Sequence, residues 1–163
     1  MQPDYEIVLG RGIGALLFGI SKGDLTGILG TADEISTPEE VEKSHWERYT
    51  YNAINCSFSF DPARGDRLVE FIVENGYFHL FHKIRVGVKK EYLLATAASL
   101  NFGDSVTEDL ETGELIWREA ISWSRVGLMV FLEDGIVSML QLSPLTDEKG
   151  KFIWPEAPVE AIP

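Results

Sequence analysis

The sequence contains a single cysteine, Cys56, among its 163 residues, and it has no long apolar run. One cysteine excludes an intramolecular disulfide, and its position in a strand-like run predicts a buried, reduced thiol. A membrane-spanning helix needs about 20 consecutive apolar residues, so insertion into a membrane is not expected. The opening residues Met1 to Asp4 lack the basic and apolar regions of a signal peptide. A cytoplasmic location is therefore predicted.

Basic residues are scarce. The chain has 14 lysines and arginines against 26 acidic residues, which gives a net charge of −12. This charge disfavours binding to nucleic acids and to anionic membranes, because phosphate groups would be repelled. The charge is compatible with a basic protein partner, but many cytoplasmic proteins are acidic merely for solubility, which is the favoured interpretation.

The sequence also lacks a recognisable catalytic set. It contains no Gly-x-Ser-x-Gly elbow for a serine nucleophile. His45, His79 and His82 are the only histidines, and no cysteine or carboxylate lies at ligand spacing from them. Adjacent acidic pairs such as Glu133-Asp134 fall in predicted turns, where solvated side chains are typical. We therefore predict no catalytic residue, no metal site and no cofactor, and we do not expect an enzyme.

A short glycine pattern near the start needs separate consideration. Gly10, Gly12 and Ala15 follow a predicted strand and match Gly-x-Gly-x-x-Ala, which is typical of dinucleotide-binding proteins. The helix that should begin there is interrupted by further glycines, and no parallel-sheet pattern follows. A flexible turn is the better interpretation.

The stretch from Phe18 to Gly30 predicts the first helix. Ser21 is suited to cap the helix start, and Asp24 lies in the first turn, where a carboxylate interacts favourably with the helix dipole. Gly30 supplies a residue that ends the helix in a left-handed conformation. A helix of about nine residues is unstable alone, so it must pack onto other elements.

An internal repeat organises the rest of the chain. The first helix is followed by an acidic loop and three strand-like runs, at 45–52, 56–60 and 68–73. A second helix through Leu100 is followed by another acidic loop and by runs at 115–123, 128–133 and 136–142, the last two joined by an Asp-Gly turn. We predict repeats at 1–78 and 79–148 and a proline-rich tail at 149–163 that packs on the body.

Strand and helix periodicity predicts which residues form the core. Alternating runs place one set of side chains inward, and helical spacing selects one face of each helix. The residues expected to be buried are Phe58, Phe60, Leu25, Leu29, Leu93 and Leu140.

The motif Phe18-Gly19-Ile20-Ser21, with a short helix ending at Leu29-Gly30 and three following strands, resembles the repeat of the beta-lactamase inhibitory protein. A weaker copy begins at Val86-Gly87-Val88-Lys89. The unit also occurs singly in small SmpA/OmlA-type lipoproteins, and in tandem in uncharacterised bacterial cytoplasmic proteins. The resemblance covers residues 12–143. It implies an α+β fold in which two tandem helix-plus-antiparallel-meander repeats form one curved sheet with short helices on one face. The resemblance does not imply that beta-lactamase is the target of this protein.

The resemblance and the residue pattern together predict a partner-binding surface. In the inhibitory protein a concave, aromatic-lined sheet binds another protein. By analogy we expect a non-catalytic protein-binding module, such as a cytoplasmic immunity or inhibitor protein for a basic toxin or enzyme. The alternative is a small enzyme or small-ligand binder with a pocket between the repeats. The predicted anchors are Trp46, Tyr49, Tyr51, Trp117 and Trp123, and the predicted steering charges, in an acidic loop, are Glu108, Asp109 and Glu111.

Overall fold

The computed structural model describes residues 5–37, 45–111 and 117–155. Within these ranges the chain forms two short helices and a set of antiparallel strands, so the α+β class is confirmed. In chain order the elements are β1 (Ile7–Val8), β2 (Gly12–Ile13), β3 (Leu16–Leu17), α1 (Lys22–Leu29), β4 (Glu34–Ser36), β5 (Glu47–Tyr51), β6 (Cys56–Asp61), β7 (Arg67–Val73), α2 (Lys90–Ser99), β8 (Val106–Glu111), β9 (Trp117–Trp123), β10 (Leu128–Glu133), β11 (Ile136–Leu142), β12 (Leu145–Thr146) and β13 (Phe152–Ile153).

The main sheet has eight strands in the order β4-β5-β6-β7-β11-β10-β9-β8. Strands β4 to β7 form one meander and β8 to β11 form the other, and the two meanders meet where β7 pairs antiparallel with β11. We call this junction the seam. Within the described residues, each of the two helices immediately precedes one meander in the chain.

Strands β4 and β8 correct the expectation of acidic loops after each helix. Glu34–Ser36 and Val106–Glu111 are paired strands that form the two edges of the sheet. An edge strand has one side open to solvent and tolerates charged residues. Such a strand therefore lacks the alternation of apolar side chains by which a sequence reveals a strand.

The first helix begins and ends as its sequence predicts. The Ser21 hydroxyl accepts a hydrogen bond from the Asp24 amide at 3.0 Å, and the Asp24 carboxylate accepts one from the Ser21 amide at 3.3 Å. This reciprocal pair satisfies two backbone donors at the helix start. The helix ends at Gly30 as predicted, but Gly30 has a φ of 83° with a ψ of −166°, so it does not adopt the expected left-handed helical conformation. Leu25 is the side chain of this helix that is fully buried.

The glycine pattern at Gly10 and Gly12 forms tight turns and no helix begins there. Strands β1, β2 and β3 make a small antiparallel sheet. Gly12 has a φ of 140°, and a Cβ atom added there would lie 2.1 Å from the carbonyl oxygen of Leu16. The glycine is therefore required by the close approach of two backbone segments, which explains the pattern without a bound dinucleotide.

The two meanders share details of their hairpins. Tyr51 and Trp123 each lead into a three-residue 3-10 turn, Asn52–Ile54 or Ser124–Val126, that ends in a left-handed residue. The register also shifts once in each meander, so that Val69 in β7 and Ser138 in β11 are skipped by the pairing. The Asp134-Gly135 turn has positive φ at both residues, 51° and 75°, as its sequence predicts.

The hydrophobic core lies on the face of the main sheet that packs against both helices. Five of the six predicted core residues are fully buried, and Leu29 at the end of α1 is only partly buried. Leu29 is the last residue of the helix and still packs against the core. The fully buried residues confirmed from this set are Phe58, Phe60, Leu25, Leu93 and Leu140.

Residues 152–154 of the proline-rich tail contact the first meander. The guanidinium of Arg67 lies over the Trp154 ring at 4.5 Å, and that of Arg64 lies over Phe152 at 4.3 Å. A Cβ atom added to Gly19, whose φ is 93°, would lie 2.9 Å from the Trp154 ring. The glycine of the Phe18-Gly19-Ile20-Ser21 motif thus leaves room for this tryptophan. Neither of the helices in the described ranges is long and apolar enough to cross a membrane.

Candidate functional site

Three of the five predicted aromatic anchors lie in the core. Tyr49 and Trp123 are 9% and 2% exposed, and Tyr51 is also buried. The Tyr51 hydroxyl donates a hydrogen bond to the Gly30 carbonyl at 2.9 Å, and the Trp123 ring packs edge-on against Phe102. The aromatics alternate correctly along their strands, but the face they occupy is the one that the helices cover. This burial corrects the expectation of an open aromatic face.

Trp46 and Trp117 lie in different parts of the main sheet. Trp46 is half-buried just before β5, and Trp117 is the first residue of β9, opposite Glu111. Four strands of the main sheet separate β5 from β9. The side chain of Trp117 lies outside the part of the chain whose burial is described. The five aromatics therefore do not form one surface.

The three predicted acidic residues share one strand. Glu108, Asp109 and Glu111 lie on β8, where the sequence predicted a loop. The side chains of Glu108 and Asp109 are exposed. Asp109 is paired with Glu119 on β9, which places two like charges opposite each other. Lys90 contacts the Glu119 carboxylate at 2.6 Å and offsets one of these charges.

The edge of β8 is the longer of the two sheet edges. Within the described residues β8 pairs with β9 alone, so alternate backbone N–H and C=O groups of its other side point away from the sheet. Val106 at the start of the strand is 59% exposed. We call this strand with its acidic side chains the acidic edge. It can bind an extended segment by backbone hydrogen bonds.

The face of the main sheet turned away from the core is called the outer face. One row of paired residues crosses it from strand to strand and is half-buried along its length. The members of the row, in strand order from β5, are Thr50, Ser57, Ile72, Gln141, Met129 and Ser122. The apolar members, Ile72 and Met129, lie on either side of Gln141 near the seam, and the members nearer the two edges carry hydroxyl groups.

A buried carboxylate lies on the outer face beside the seam. Glu70 is 5% exposed and accepts hydrogen bonds from the Ser59 hydroxyl at 3.1 Å and the Gln141 amide at 2.8 Å. A guanidinium nitrogen of Arg48 lies 3.6 Å from it. Burial raises the pKa of Glu70, and Arg48 with the two hydrogen bonds opposes that rise. The network joins three strands of one meander to β11 of the other.

Replacing Glu70 with glutamine is expected to stabilise the fold increasingly as the pH rises. Because the folded-state pKa is raised above the ordinary 4.5, the carboxyl stabilises the fold fully below pH 4.5, and this contribution is lost as the pH rises through the folded-state pKa. Glutamine does not titrate. Urea unfolding at pH 4 and pH 8 should show the difference between variant and parent shifting in favour of the variant at pH 8.

The control for this experiment is Glu148→Gln, which removes the same charge from an exposed position. The control reports the effect of net charge alone. The pH-dependent gain in the free energy of unfolding should therefore be larger for Glu70→Gln than for the control. Equal gains in the two variants would show that burial of Glu70 does not set the pH dependence.

A cleft opens on the outer face at the seam. Its volume is about 370 Å³, and it is lined by one residue that follows β7 and by residues of β10 and β11. The lining combines two carboxylates, an aromatic ring, a thioether and a hydroxyl. These residues are Glu74, Phe131, Glu133, Ser138 and Met139. Sequence analysis did not find this site.

The histidines His79 and His82 lie side by side, and Cys56 is buried. The rings of His79 and His82 stack at 4.2 Å, and the His82 amide donates a hydrogen bond to Nδ1 of His79 at 3.3 Å. Within residues 5–37, 45–111 and 117–155 no three histidine, cysteine or acidic side chains are grouped to hold a metal ion. Burial raises the pKa of the Cys56 thiol to about 12, which makes it a poor nucleophile.

Comparisons with known proteins give no family. No family model and no curated protein matches the chain. An extracellular protein containing an SCP domain from Bacillus anthracis strain Ames aligns with 86% of this chain at 13% identity and a TM-score of 0.48, and this chain spans 50% of that protein. A DUF4309 family protein, YjgB, from Bacillus subtilis subsp. subtilis strain 168 aligns with 83% of this chain and 88% of its own at 13% identity and a TM-score of 0.46. At such scores neither likeness defines a function.

Proposed function

We propose that the protein is a non-catalytic module that binds another protein through the acidic edge. The observation that carries this proposal is the exposed strand β8, which has an unpaired side within the described residues and carries Glu108, Asp109 and Glu111. A partner strand added there would form main-chain hydrogen bonds, and alternate side chains would provide specificity. Lys90 already offsets the charge of Glu119 in the like-charged pair, so a cation of the partner would act on Asp109.

The charge of the edge selects the kind of partner. A second copy of this chain would bring its own acidic strand alongside, and the like charges would oppose pairing. A basic extended segment would instead be attracted, with a faster association that salt suppresses. An immunity or inhibitor protein for a basic toxin or enzyme would have these properties. The cytoplasmic location stays a prediction.

We also propose that the two meanders are tandem repeats of one unit. Each has four strands and follows a short helix, and each has a 3-10 turn that ends in a left-handed residue after its second strand. Each also skips one residue in the same hairpin, at Val69 and at Ser138. A bulge at matching positions is hard to obtain independently, because its register depends on both strands. The repeat of the beta-lactamase inhibitory protein remains the resemblance that motivates this proposal.

Reversing two charges on the acidic edge is expected to weaken binding of a basic partner. The test uses a protein captured from source cells and then titrated in pure form against the parent chain and against a Glu108→Lys/Asp109→Lys variant. We expect a loss of affinity of about tenfold or more at low salt, since each charge at the rim contributes roughly threefold. Raising the ionic strength should reduce the difference.

The matched control is Glu34→Lys/Glu148→Lys, which adds the same charge at exposed positions away from β8. This control should retain parent affinity. Equal losses in both variants would show that net charge acts without a specific edge. If the β8 variant self-associates while its affinity for the captured protein is unchanged, the acidic residues serve only to prevent sheet pairing, and the proposal is wrong.

A further inference from the structure

The side chains of β8 form two rows on opposite faces of the sheet. Thr107 is paired with Ile121, which is fully buried in the core, and paired residues point to the same face. Side chains alternate along a strand, so Thr107 and Asp109 lie on the core side of the acidic edge. The residues on the outer face, among those whose side chains are described, are Val106, Glu108 and Leu110.

The outer row carries apolar side chains on both sides of a charge. Val106 is 59% exposed, Leu110 is half-buried, and Glu108 lies between them. Edge strands usually carry charges that prevent pairing with another chain. An exposed apolar side chain has the opposite effect, because it gains from an apolar neighbour on an added strand. The acidic edge therefore favours an added strand at Val106 and Leu110 and restricts it at Glu108.

The central charges restrict which strand can be added. Glu108 points to the outer face and Asp109 to the core side, so the two carboxylates attract cations on opposite faces. Lys90 contacts the neighbouring Glu119, and none of the salt bridges among the described residues includes Glu108 or Asp109. Adjacent residues of a strand point to opposite faces. A strand that pairs here with both charges must therefore supply two adjacent basic residues.

The register determines the order of the partner's residues. An antiparallel strand continues the main sheet, in which all neighbouring strands are antiparallel. From its amino end, its residues would face Leu110, Asp109, Glu108, Thr107 and Val106 in that order. Apolar residues suit the first and last positions, and basic residues suit the second and third. The fourth position faces a threonine, with which a second threonine or a serine forms a hydrogen bond.

We propose that the partner of the acidic edge contributes an extended segment with the order apolar, basic, basic, threonine or serine, apolar, which pairs antiparallel with residues 106–110. This inference rests on the function proposed for β8 and identifies the class of segment that β8 recognises. The basic residues provide the attraction, and the apolar residues and main-chain hydrogen bonds provide the fit. The same arrangement rejects a second copy of the chain, whose own β8 brings further carboxylates.

The other edge of the main sheet provides an internal control. Strand β4 has three residues, with one carboxylate and one exposed apolar side chain, Ile35. It is too short to pair with all five residues of the proposed segment. A peptide that recognises the pattern should therefore bind at β8 and leave β4 unaffected, whereas a peptide that adds to any open edge should affect both strands.

The test uses the full chain labelled with nitrogen-15 and a peptide that contains Val-Lys-Lys-Thr-Val between glycine and serine flanks. We expect saturable amide shifts at residues 106–110 and none at residues 34–36, with a dissociation constant of about 1 mM for so short a strand. A control peptide of the same composition, Lys-Val-Thr-Val-Lys, places lysines opposite Val106 and Leu110 in either strand direction. It should bind about tenfold more weakly, and equal affinity would overturn the proposal.

Exchange of charges tests the register. Glu108→Lys should weaken binding of the Val-Lys-Lys-Thr-Val peptide about threefold, since an exposed charge pair contributes roughly this much. A Val-Lys-Glu-Thr-Val peptide, in which a glutamate faces the new lysine, should restore the affinity for this variant. The same peptide should not restore binding to Asp109→Lys, the matched control with the same net charge. Thermal unfolding verifies that both variants fold, and equal restoration in the two would contradict the proposal.

Main-chain pairing is tested with an N-methyl group on one or the other lysine of the peptide. Neighbouring N–H groups of a strand point in opposite directions, so one methyl group faces β8 and the other faces solvent. The first removes a hydrogen bond to the edge, and that peptide should lose saturable binding, while the second peptide keeps it. Equal affinity of the two methylated peptides would show that no strand is added and would overturn the proposal.

These outcomes are separable from the test of the proposed function. The function stands and this inference is wrong if Glu108→Lys/Asp109→Lys weakens binding of the captured protein while the Val-Lys-Lys-Thr-Val peptide gives no saturable shifts. Binding of the peptide at β8, together with unchanged affinity of that variant for the captured protein, would support this inference and contradict the function proposed for that protein.

Discussion

Replacing Phe60 with alanine is expected to lower the free energy of unfolding by about 3–5 kcal/mol, because large-to-small changes in a core lose both burial and packing. The Phe60 side chain is fully buried, and its ring packs edge-on against Tyr49 at 5.2 Å. Removal of the ring leaves a cavity on the core face of the main sheet. Urea unfolding followed by circular dichroism measures the loss as a lower midpoint with an unchanged slope.

The control for Phe60→Ala is Phe81→Ala. Phe81 is 47% exposed, so the same chemical change should cost about 1 kcal/mol or less. An unmoved midpoint for Phe60→Ala would show that Phe60 on β6 does not face the core in solution.

Replacing Gly12 with alanine is expected to destabilise the protein by about 3 kcal/mol or more, since both backbone strain and overlap of atoms contribute. The φ of 140° is disfavoured for any residue with a side chain, and the new Cβ atom would lie 2.1 Å from a backbone oxygen of Leu16. The neighbouring backbone cannot move as a flexible side chain could. The measurement is again the urea midpoint.

Gly27→Ala is the matched control with the opposite sign. Gly27 lies inside α1, and nothing is found within 4 Å of an added Cβ atom. Alanine favours a helix by about 0.5–1 kcal/mol over glycine at such a position, so this variant should be more stable than the parent. If Gly12→Ala were as harmless as Gly27→Ala, the glycine pattern would have no structural role and its interpretation would have to be reconsidered.

The parts of the fold that sequence could predict are those fixed by local patterns. Strands β10 and β11 begin and end at the predicted residues, because apolar alternation and the Asp134-Gly135 turn define them locally. The first helix is defined by its Ser21 cap. Strands β4 and β8 could not be predicted this way, since their pairing depends on neighbours distant from their own sequence.

The candidate sites show a different limit. Alternation indicates which aromatic residues share a face of a strand, but it does not indicate that the helices cover that face. Tyr49, Tyr51 and Trp123 were therefore predicted to be exposed, although they are buried. The network around Glu70 could have been predicted from the sequence. Glu70 lies within the apolar run of β7, and a carboxylate that is buried there needs hydrogen-bond partners. The cleft could not have been predicted from the sequence, because the omission of Ser138 from the pairing depends on the register of two strands.

The seam determines the order in which the molecule can assemble. Its three residue pairs, Val73–Leu140, Ile72–Gln141 and Phe71–Leu142, join positions about 70 residues apart, whereas the strands within each meander follow one another directly in the chain. Neighbouring hairpins close within microseconds, but a contact across so long a loop must first overcome a greater loss of chain entropy. Docking of the two meanders is therefore expected to limit the folding rate, and the cleft at the seam comes into existence only in that last step.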